Sequence, residues 1–130
     1  MFRIVIIDSN LTFRQSLTEL LAKHFPEMEI KTLGNPAGYP GLLRDTQQLN
    51  PDVILLDMHT LSDHAPGFAR MIKQGFPQRT LVLMSSFDMP EYRRAAFNSG
   101  ADYCLLKNES TFAGIAGLVE FLQGKLQRHG

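Results

Sequence analysis

Four side chains that could take part in chemistry follow directly on short apolar runs. Asp8, Asp57, Ser85 and Lys107 are each the first polar residue after four consecutive apolar ones. Runs of this length and composition are typical of strands that are buried on both faces. Because ligands of parallel sheets bind beyond the carboxyl ends of the strands, we expect the two acids, the hydroxyl and the amine to lie together at one edge of a sheet.

The segments between these runs are predicted to be helices, which makes the fold an α/β one. The predicted strands cover residues 1–7, 28–33, 51–57, 80–84 and 101–106, and a helix follows each of them. This alternation predicts a five-stranded parallel sheet with helices on both faces. Among doubly wound folds of this size, the order 2-1-3-4-5 has its switch point between strands 1 and 3, which end on Asp8 and Asp57.

Local signals predict where the helices begin and which side chains they bury. Ser9 or Asn10 can cap the first helix, and Asp88 with Glu91 three residues later resembles a capping box for the fourth. Residues 34–41 are rich in glycine and proline and are predicted to be mostly loop, followed by a helix over 42–49. Helical spacing predicts inward-facing side chains at Phe68, Met71 and Ile72 in the third helix, and at Phe112, Ile115, Leu118, Val119, Phe121, Leu122 and Leu126 in the last.

Length and composition indicate one globular domain over residues 1–130. The chain is 44% hydrophobic and 20% charged and has no net charge, which argues against nucleic-acid binding by this domain, because such domains are usually strongly basic. Its one cysteine excludes an internal disulfide and fits a reducing compartment. No apolar run is long enough to span a membrane, and a strand begins at the N-terminus without a signal peptide. We therefore expect a cytoplasmic domain with no membrane partner.

Four motifs in order give the chain its resemblance to a known family. They are Pro-Asp-Val-Ile-Leu-Leu-Asp at 51–57, Leu-Val-Leu-Met-Ser-Ser at 81–86, Gly-Ala-Asp-Tyr-Cys-Leu-Leu-Lys at 100–107 and Lys-Asn-Glu-Ser at 107–110. Over essentially its whole length the chain resembles the receiver domain of a bacterial two-component response regulator. The last motif is similar to the form found in regulators with a LuxR-type helix-turn-helix output domain. The resemblance leaves open a stand-alone receiver or the N-terminal part of a longer transcriptional regulator.

The resemblance implies that Asp57 accepts a phosphoryl group from a histidine kinase. A carboxylate can form such an aspartyl phosphate, and the transfer depends mainly on neutralising charge on the phosphoryl oxygens. By the same resemblance Lys107 and Ser85 contact those oxygens, although Ser86 competes with Ser85 because the register is open. It also implies Mg²⁺ held by Asp8, Asp57 and the backbone carbonyl of His59. No enzymatic activity is expected beyond the gain and loss of the phosphoryl group on Asp57.

The chain departs from the family pattern at the metal site and at the switch position. Ser9 stands where receivers usually have a second acid that binds Mg²⁺ directly, and we predict weakened Mg²⁺ binding, because even supporting groups change metal affinity by about 10–100-fold. Cys104 stands where an aromatic switch residue is usual, and strand register predicts that Tyr103 points to the opposite face. Asn108 follows Lys107 in place of proline, so a cis-proline is excluded there.

The leading function is a signalling switch, in which charge on Asp57 biases the face formed by strand 4, helix 4, strand 5 and helix 5. The expected partners of that face are an output domain or a second receiver copy in a homodimer. The alternative is a pseudo-receiver, a constitutive interaction domain that has lost the phosphorylation cycle, for which Ser9 argues. A flavodoxin-like cofactor enzyme has the same fold, but the residues after strand 1 offer no glycine-rich phosphate loop. A transition-metal site at His59, Asp63 and His64 is not expected, because their spacing matches no helical pair.

Overall fold

The structure is a computed structural model of the 130-residue chain and describes residues 2–34, 39–61, 64–108 and 111–129, with only the backbone given for residues 39–40 and 126–129. The strands are β1 (Arg3–Ile7), β2 (Glu29–Leu33), β3 (Val53–Asp57), β4 (Thr80–Ser85) and β5 (Tyr103–Leu106). The helices are α1 (Leu11–His24), α2 (Tyr39–Leu49), α3 (Ala65–Gly75), α4 (Pro90–Asn98) and α5 (Thr111–His129).

The strands form one parallel sheet in the order β2-β1-β3-β4-β5, as the sequence predicts. The register pairs Ile7 of β1 with Leu56 of β3, so the acids that follow these two residues lie side by side. Asp57 itself is paired with Met84, and Ser85 with Leu106. All four strand ends that carry the predicted site residues therefore meet at the carboxyl edge of the sheet.

Alternate side chains of the central strands enter two separate cores, one on each face of the sheet. Val5 and Ile7 face α2, α3 and α4, while Ile4 and Ile6 face α1 and α5. Every residue of β3 is buried. Burial of an aliphatic side chain contributes about 1.5–3 kcal/mol, so the central strands are the most firmly held backbone in the domain and a rigid base for the polar residues at their ends.

The helix ends show which local signals were decisive. Asn10 caps α1, because its side-chain oxygen accepts a hydrogen bond from the backbone N–H of Phe13 at 3.0 Å. Pro66 lies in the first turn of α3, where its missing N–H costs nothing. Gly100 has a φ of 94°, so it supplies the left-handed turn between α4 and β5 that an L residue would enter only with strain.

The predicted start of two helices is wrong. Pro90 occupies the first turn of α4 and makes Met89 the N-cap, with no side-chain cap hydrogen bond, while the Asp88 carboxylate pairs instead with the Arg93 guanidinium. α2 begins at Tyr39, inside the segment predicted to be loop, because proline is tolerated in the first turn of a helix. Of that predicted loop, residues 35–38 lie outside the described part of the chain.

Two of the predicted inward-facing side chains are exposed. Met71 is 46% exposed, since Phe68 and Ile72, one turn apart, occupy the inner face of α3. Phe121 is 59% exposed, because Ile115, Val119 and Leu122 define the buried stripe of α5. The Leu126 side chain lies outside the described residues. No helix among the described residues is both long and apolar enough to cross a membrane.

Candidate functional site

The carboxyl edge of the sheet brings the four predicted residues together, and three of them, Asp8, Asp57 and Lys107, form a charged cluster. Asp8, Asp57 and Ser85 are buried, with 1%, 4% and 3% of their surfaces exposed. Lys107 follows β5, and its backbone N–H donates to the Ser85 carbonyl at 2.7 Å, which continues the strand pairing up to the site. Each residue is polar at a position where the neighbouring strand residues are apolar, so the cluster is desolvated and its charges interact strongly.

The Lys107 ammonium lies between the two carboxylates. Its Nζ is 2.5 Å from Asp8 Oδ2 and 3.0 Å from Asp57 Oδ1, and it also lies 4.1 Å from the centre of the Phe13 ring, on the face of the ring. This contact with Phe13 of α1 is a cation–π interaction. Among these three side chains the carboxylates outnumber the ammonium by two to one, which favours a cation.

Asp8 organises the turn between β1 and α1 as well as the charge cluster. Its Oδ1 accepts a hydrogen bond from the Asn10 N–H at 2.8 Å, and its backbone carbonyl accepts one from Arg14 Nη1 at 2.7 Å. The Arg14 guanidinium lies where a side chain on Gly34 would be, because an added Cβ there would be 1.7 Å from Arg14 Nη1. With Oδ1 bonded to Asn10 and Oδ2 paired with Lys107, both carboxylate oxygens of Asp8 are engaged within the protein.

The two oxygens of Asp57 have different environments. Oδ2 accepts a hydrogen bond from the Thr60 hydroxyl at 3.0 Å, whereas buried Oδ1 has no hydrogen-bond partner among the described residues. The Lys107 ammonium is near Oδ1 in distance, but its geometry is that of an ion pair and not of a directed hydrogen bond. Thr60 was not predicted as a site residue, because in the sequence it is only a hydroxyl three residues beyond a strand-end acid.

The Ser85 hydroxyl is occupied by its own loop and by His59. Its Oγ lies 3.1 Å from both the N–H and the carbonyl of Phe87 and 3.3 Å from His59 Nε2. Ser86 is exposed, so of the two serines only Ser85 is buried at this edge of the sheet. His59 was expected to contribute its backbone carbonyl, whereas the structure brings its ring to Ser85.

Three rings lie against each other beside Ser85. The His59 ring centre is 5.0 Å from that of Phe87 and 5.5 Å from that of Tyr92, both in edge-to-face arrangements, and Phe87 and Tyr92 stack at 6.0 Å. These distances are in the range where aromatic pairs add stability beyond area burial. The three rings connect the β3–α3 loop, the β4–α4 loop and α4.

Tyr103 and Cys104 lie on opposite faces of β5, as register predicts. Tyr103 packs in the core against α1 and α5, and Cys104 packs in the core against α2, α3 and α4. A cavity of about 260 Å³ lies beside Cys104, and its lining includes Ser85, Phe87 and Tyr92. Partial burial raises the pKa of the Cys104 thiol, against a smaller opposing effect of Arg93.

The sequence profile of the response regulator receiver domain matches residues 4–115. The chain belongs to this receiver family. It is thus the receiver domain of a two-component response regulator, which is what the motifs at the strand ends predict.

The receiver is similar to a longer regulator and to receivers of known structure. It is 28% identical over 127 residues to the transcriptional regulatory protein DegU of Brevibacillus brevis, covering 98% of this chain and 52% of that protein. The signal receiver domain of a DNA-binding response regulator (merR) from Colwellia psychrerythraea 34H is 25% identical, with a TM-score of 0.78 over 92% of this chain and 99% of the other. The response regulator TrrA from Thermotoga maritima in complex with Mg²⁺-BeF is 22% identical, with a TM-score of 0.76 over 94% and 99%.

The receiver therefore spans about half the length of the curated relative and nearly all of the two structures.

The polar cluster of this receiver fits Mg²⁺ with few ligands from the protein. Within the described ranges no group of three or more His, Cys, Asp and Glu side chains could hold a metal ion. Mg²⁺ is commonly bound through one or two carboxylates with water completing its shell, and the two acids here meet that minimum. Asp57 keeps one buried oxygen without a hydrogen bond, so it is the less fully engaged of the two acids.

Proposed function

We propose that Asp57 is the phosphoacceptor of this receiver and that its donor is the phosphohistidine of a histidine kinase. The observation that carries the proposal is the unbonded Oδ1 of Asp57, buried at the end of β3 and 3.0 Å from the Lys107 ammonium. In the transfer this oxygen forms a bond to phosphorus while the phosphorus–nitrogen bond of the phosphohistidine breaks. The leaving imidazole nitrogen takes the electron pair and then a proton from water.

The surrounding residues would stabilise the phosphoryl group by charge and hydrogen bonding. Lys107 already lies beside Asp57 and would pair with one phosphoryl oxygen. Ser85 would donate its hydroxyl to another, which requires it to leave the Phe87 carbonyl or His59 that it now contacts. The incoming negative charge would therefore draw Ser85 away from the three rings.

Mg²⁺ is proposed to bind through Asp8, Asp57 and the backbone carbonyl of His59. When bound it supplies positive charge that neutralises the phosphoryl oxygens. Ser9 has no carboxylate, and both oxygens of Asp8 are engaged, one of them by Lys107. The protein must give up part of the ion pair between Asp8 and Lys107 to bind the ion, which supports the proposal that its Mg²⁺ affinity is weaker than in a receiver with two adjacent acids.

The proposed readout is a change in the surface formed by β4, α4, β5 and α5. Phe87, Met89 and Phe97 are exposed on and just before α4, and the His59, Phe87 and Tyr92 rings connect this region to Ser85. We propose that an output domain or a second receiver copy binds here. The similarity to a transcriptional regulator about twice as long supports an output domain, a LuxR-type DNA-binding one by the motif at 107–110, and a cytoplasmic location. With a net charge of zero the receiver itself is not proposed to bind nucleic acid.

Intact-protein mass spectrometry after incubation with acetyl phosphate tests the phosphoacceptor. We expect one added phosphoryl group that requires Mg²⁺, disappears with chelator and is absent in Asp57→Asn. Asp45→Asn, an exposed carboxylate on α2, is the matched control and should be labelled like the wild type. A folded wild type that takes up no phosphoryl group even at high Mg²⁺ would contradict the proposal and favour the pseudo-receiver.

A further inference from the structure

The Thr60 hydroxyl bridges the two loops that carry the acids. Its Oγ1 accepts a hydrogen bond from the Ser9 backbone N–H at 3.0 Å and donates one to Asp57 Oδ2 at 3.0 Å. The directions follow from the chemistry, since an N–H can only donate and an ionised carboxylate can only accept. The single hydroxyl proton of Thr60 is therefore donated to Asp57.

A turn in the backbone places Thr60 beside Asp57. The Thr60 N–H donates to the Asp57 carbonyl at 3.3 Å, which folds the chain back at the end of β3. Ser9 is fixed in turn by its neighbours, because the Asp8 carboxylate bonds to Asn10 and Asn10 caps α1. The hydroxyl is therefore held between a backbone N–H of the β1–α1 turn and the Asp57 carboxylate.

This bridge makes the two oxygens of Asp57 unequal. Rotation about the terminal torsion of an aspartate is soft and two-fold, so an unconstrained carboxylate exchanges its oxygens freely. Here Oδ2 is held by the Thr60 hydroxyl, and Oδ1 remains without a hydrogen bond beside Lys107. The lone pairs of Oδ1 are therefore free of hydrogen bonds, whereas one lone pair of Oδ2 is used by Thr60.

We propose that Thr60 is a positioning residue for phosphoryl transfer, which holds Asp57 Oδ2 so that Oδ1 is the oxygen that attacks phosphorus. The inference rests on the proposed phosphorylation of Asp57 and adds to it which oxygen reacts and what holds it. Holding a reacting group in its reactive orientation lowers the activation barrier, because the entropy of its rotation has been lost before the reaction begins.

Thr60→Val, Thr60→Ser and wild type are compared for the rate of Asp57 phosphorylation over a range of acetyl phosphate concentrations with Mg²⁺. Thr46→Val is the matched control, since the Thr46 hydroxyl is also buried and hydrogen-bonded, to the Leu42 carbonyl at 2.8 Å, but lies in α2 away from the site. We expect Thr60→Val to lower the saturating rate about tenfold, the effect of losing a hydrogen bond to a charged group. The half-saturating concentration should stay unchanged, and Thr60→Ser should stay within about twofold of wild type.

Amide hydrogen exchange at Ser9, measured by NMR without any phosphodonor, tests the bridge itself. Protection of this amide should be lost in Thr60→Val and retained in Thr60→Ser. If wild type is phosphorylated and Thr60→Val reacts equally fast, or if the valine and serine variants slow equally, the positioning role is wrong while the proposed function stands. If wild type takes up no phosphoryl group, the proposed function fails and the positioning role fails with it.

Discussion

Lys107 Nζ lies 2.5 Å from Asp8 Oδ2, closer than the 3.0 Å that separates it from Asp57 Oδ1. The lysine is therefore paired more closely with Asp8 than with Asp57. A phosphoryl group on Asp57, as proposed above, would bring additional negative charge to the longer of these two contacts. The ammonium can respond to that charge with a small movement, since it already lies between both acids.

Replacing Lys107 by methionine should destabilise the receiver. Removal of one partner of a buried ion pair leaves an uncompensated charge and costs about 3–5 kcal/mol, and here two buried carboxylates would remain together. We expect the free energy of unfolding in urea to fall by about 3 kcal/mol in metal-free buffer, with part of the loss restored by Mg²⁺. Lys23→Met, an exposed lysine of α1, should change it little. Equal stability of the two variants would contradict this account of the cluster.

Ser9→Asp should strengthen Mg²⁺ binding. It places a second acid next to Asp8, and we expect an affinity at least about tenfold higher, since changes even in supporting groups alter metal affinity by about 10–100-fold. The measurement is the rise of the melting temperature during a Mg²⁺ titration. In metal-free buffer the variant should melt below wild type, because the added charge lies in an already negative cluster. Gln15→Asp on the exposed side of α1 is the control for charge alone.

Two glycines should respond to alanine with opposite signs. Gly117 lies inside α5 with nothing within 4 Å of an added Cβ, so Gly117→Ala should raise the free energy of unfolding by about 1 kcal/mol. Gly100 has a φ of 94°, so Gly100→Ala should lower it by about 1 kcal/mol or more. Thermal unfolding should show a shift of about 3–5 °C in each direction. A stabilising Gly100→Ala would show that this turn does not require the left-handed conformation.

Cys104 should react slowly with iodoacetamide. Partial burial raises the pKa of its thiol, so less of the reactive thiolate is present at pH 8 than in the unfolded chain. The labelling rate of the folded protein should keep rising with pH after that of the urea-unfolded chain has levelled off. Both rates report on the same single cysteine. Labelling at equal rates in the two states would contradict the burial of this thiol.

The same shift predicts how Cys104 affects stability at alkaline pH. Its pKa is higher in the folded than in the unfolded state. The thiol therefore contributes stability that is fully present below the unfolded pKa and is lost as the pH rises through the folded pKa. The unfolding free energy of Cys104→Ala should decline less than that of wild type between about pH 8 and about pH 10, the span in which thiols titrate, as measured by urea titrations.

The sequence predicted the sheet and the main residues of the site because both depend on the same local signal. Each central strand is an apolar run that ends on a polar residue, and the parallel order places those ends together. Asp8, Asp57, Ser85 and Lys107 could therefore be placed without tertiary information. The opposite faces of Tyr103 and Cys104 followed from the two-residue period of a strand.

What the sequence could not predict depends on side-chain direction in loops and on the rotation of helices. Thr60 and the ring of His59 lie in a loop with no repeating pattern, and their contacts with Asp57 and Ser85 arise only from the fold. Asp88 was predicted as a helix cap from its spacing to Glu91, but Pro90 moved the cap to Met89. Phe121 matched the apolar spacing of α5, yet the helix is rotated so that it faces outward.

Two neighbouring parts of the backbone should open at different rates, because β3 is completely buried and the segment 86–90 is exposed. Strand β3 is paired on both sides and buried at every residue, so its amide hydrogens should exchange with solvent only in the rarest openings of the chain. The exposed segment 86–90 lacks such burial and should open far more often. A group attached to Asp57 would thus be held by the backbone that opens least often, beside a segment that opens far more often.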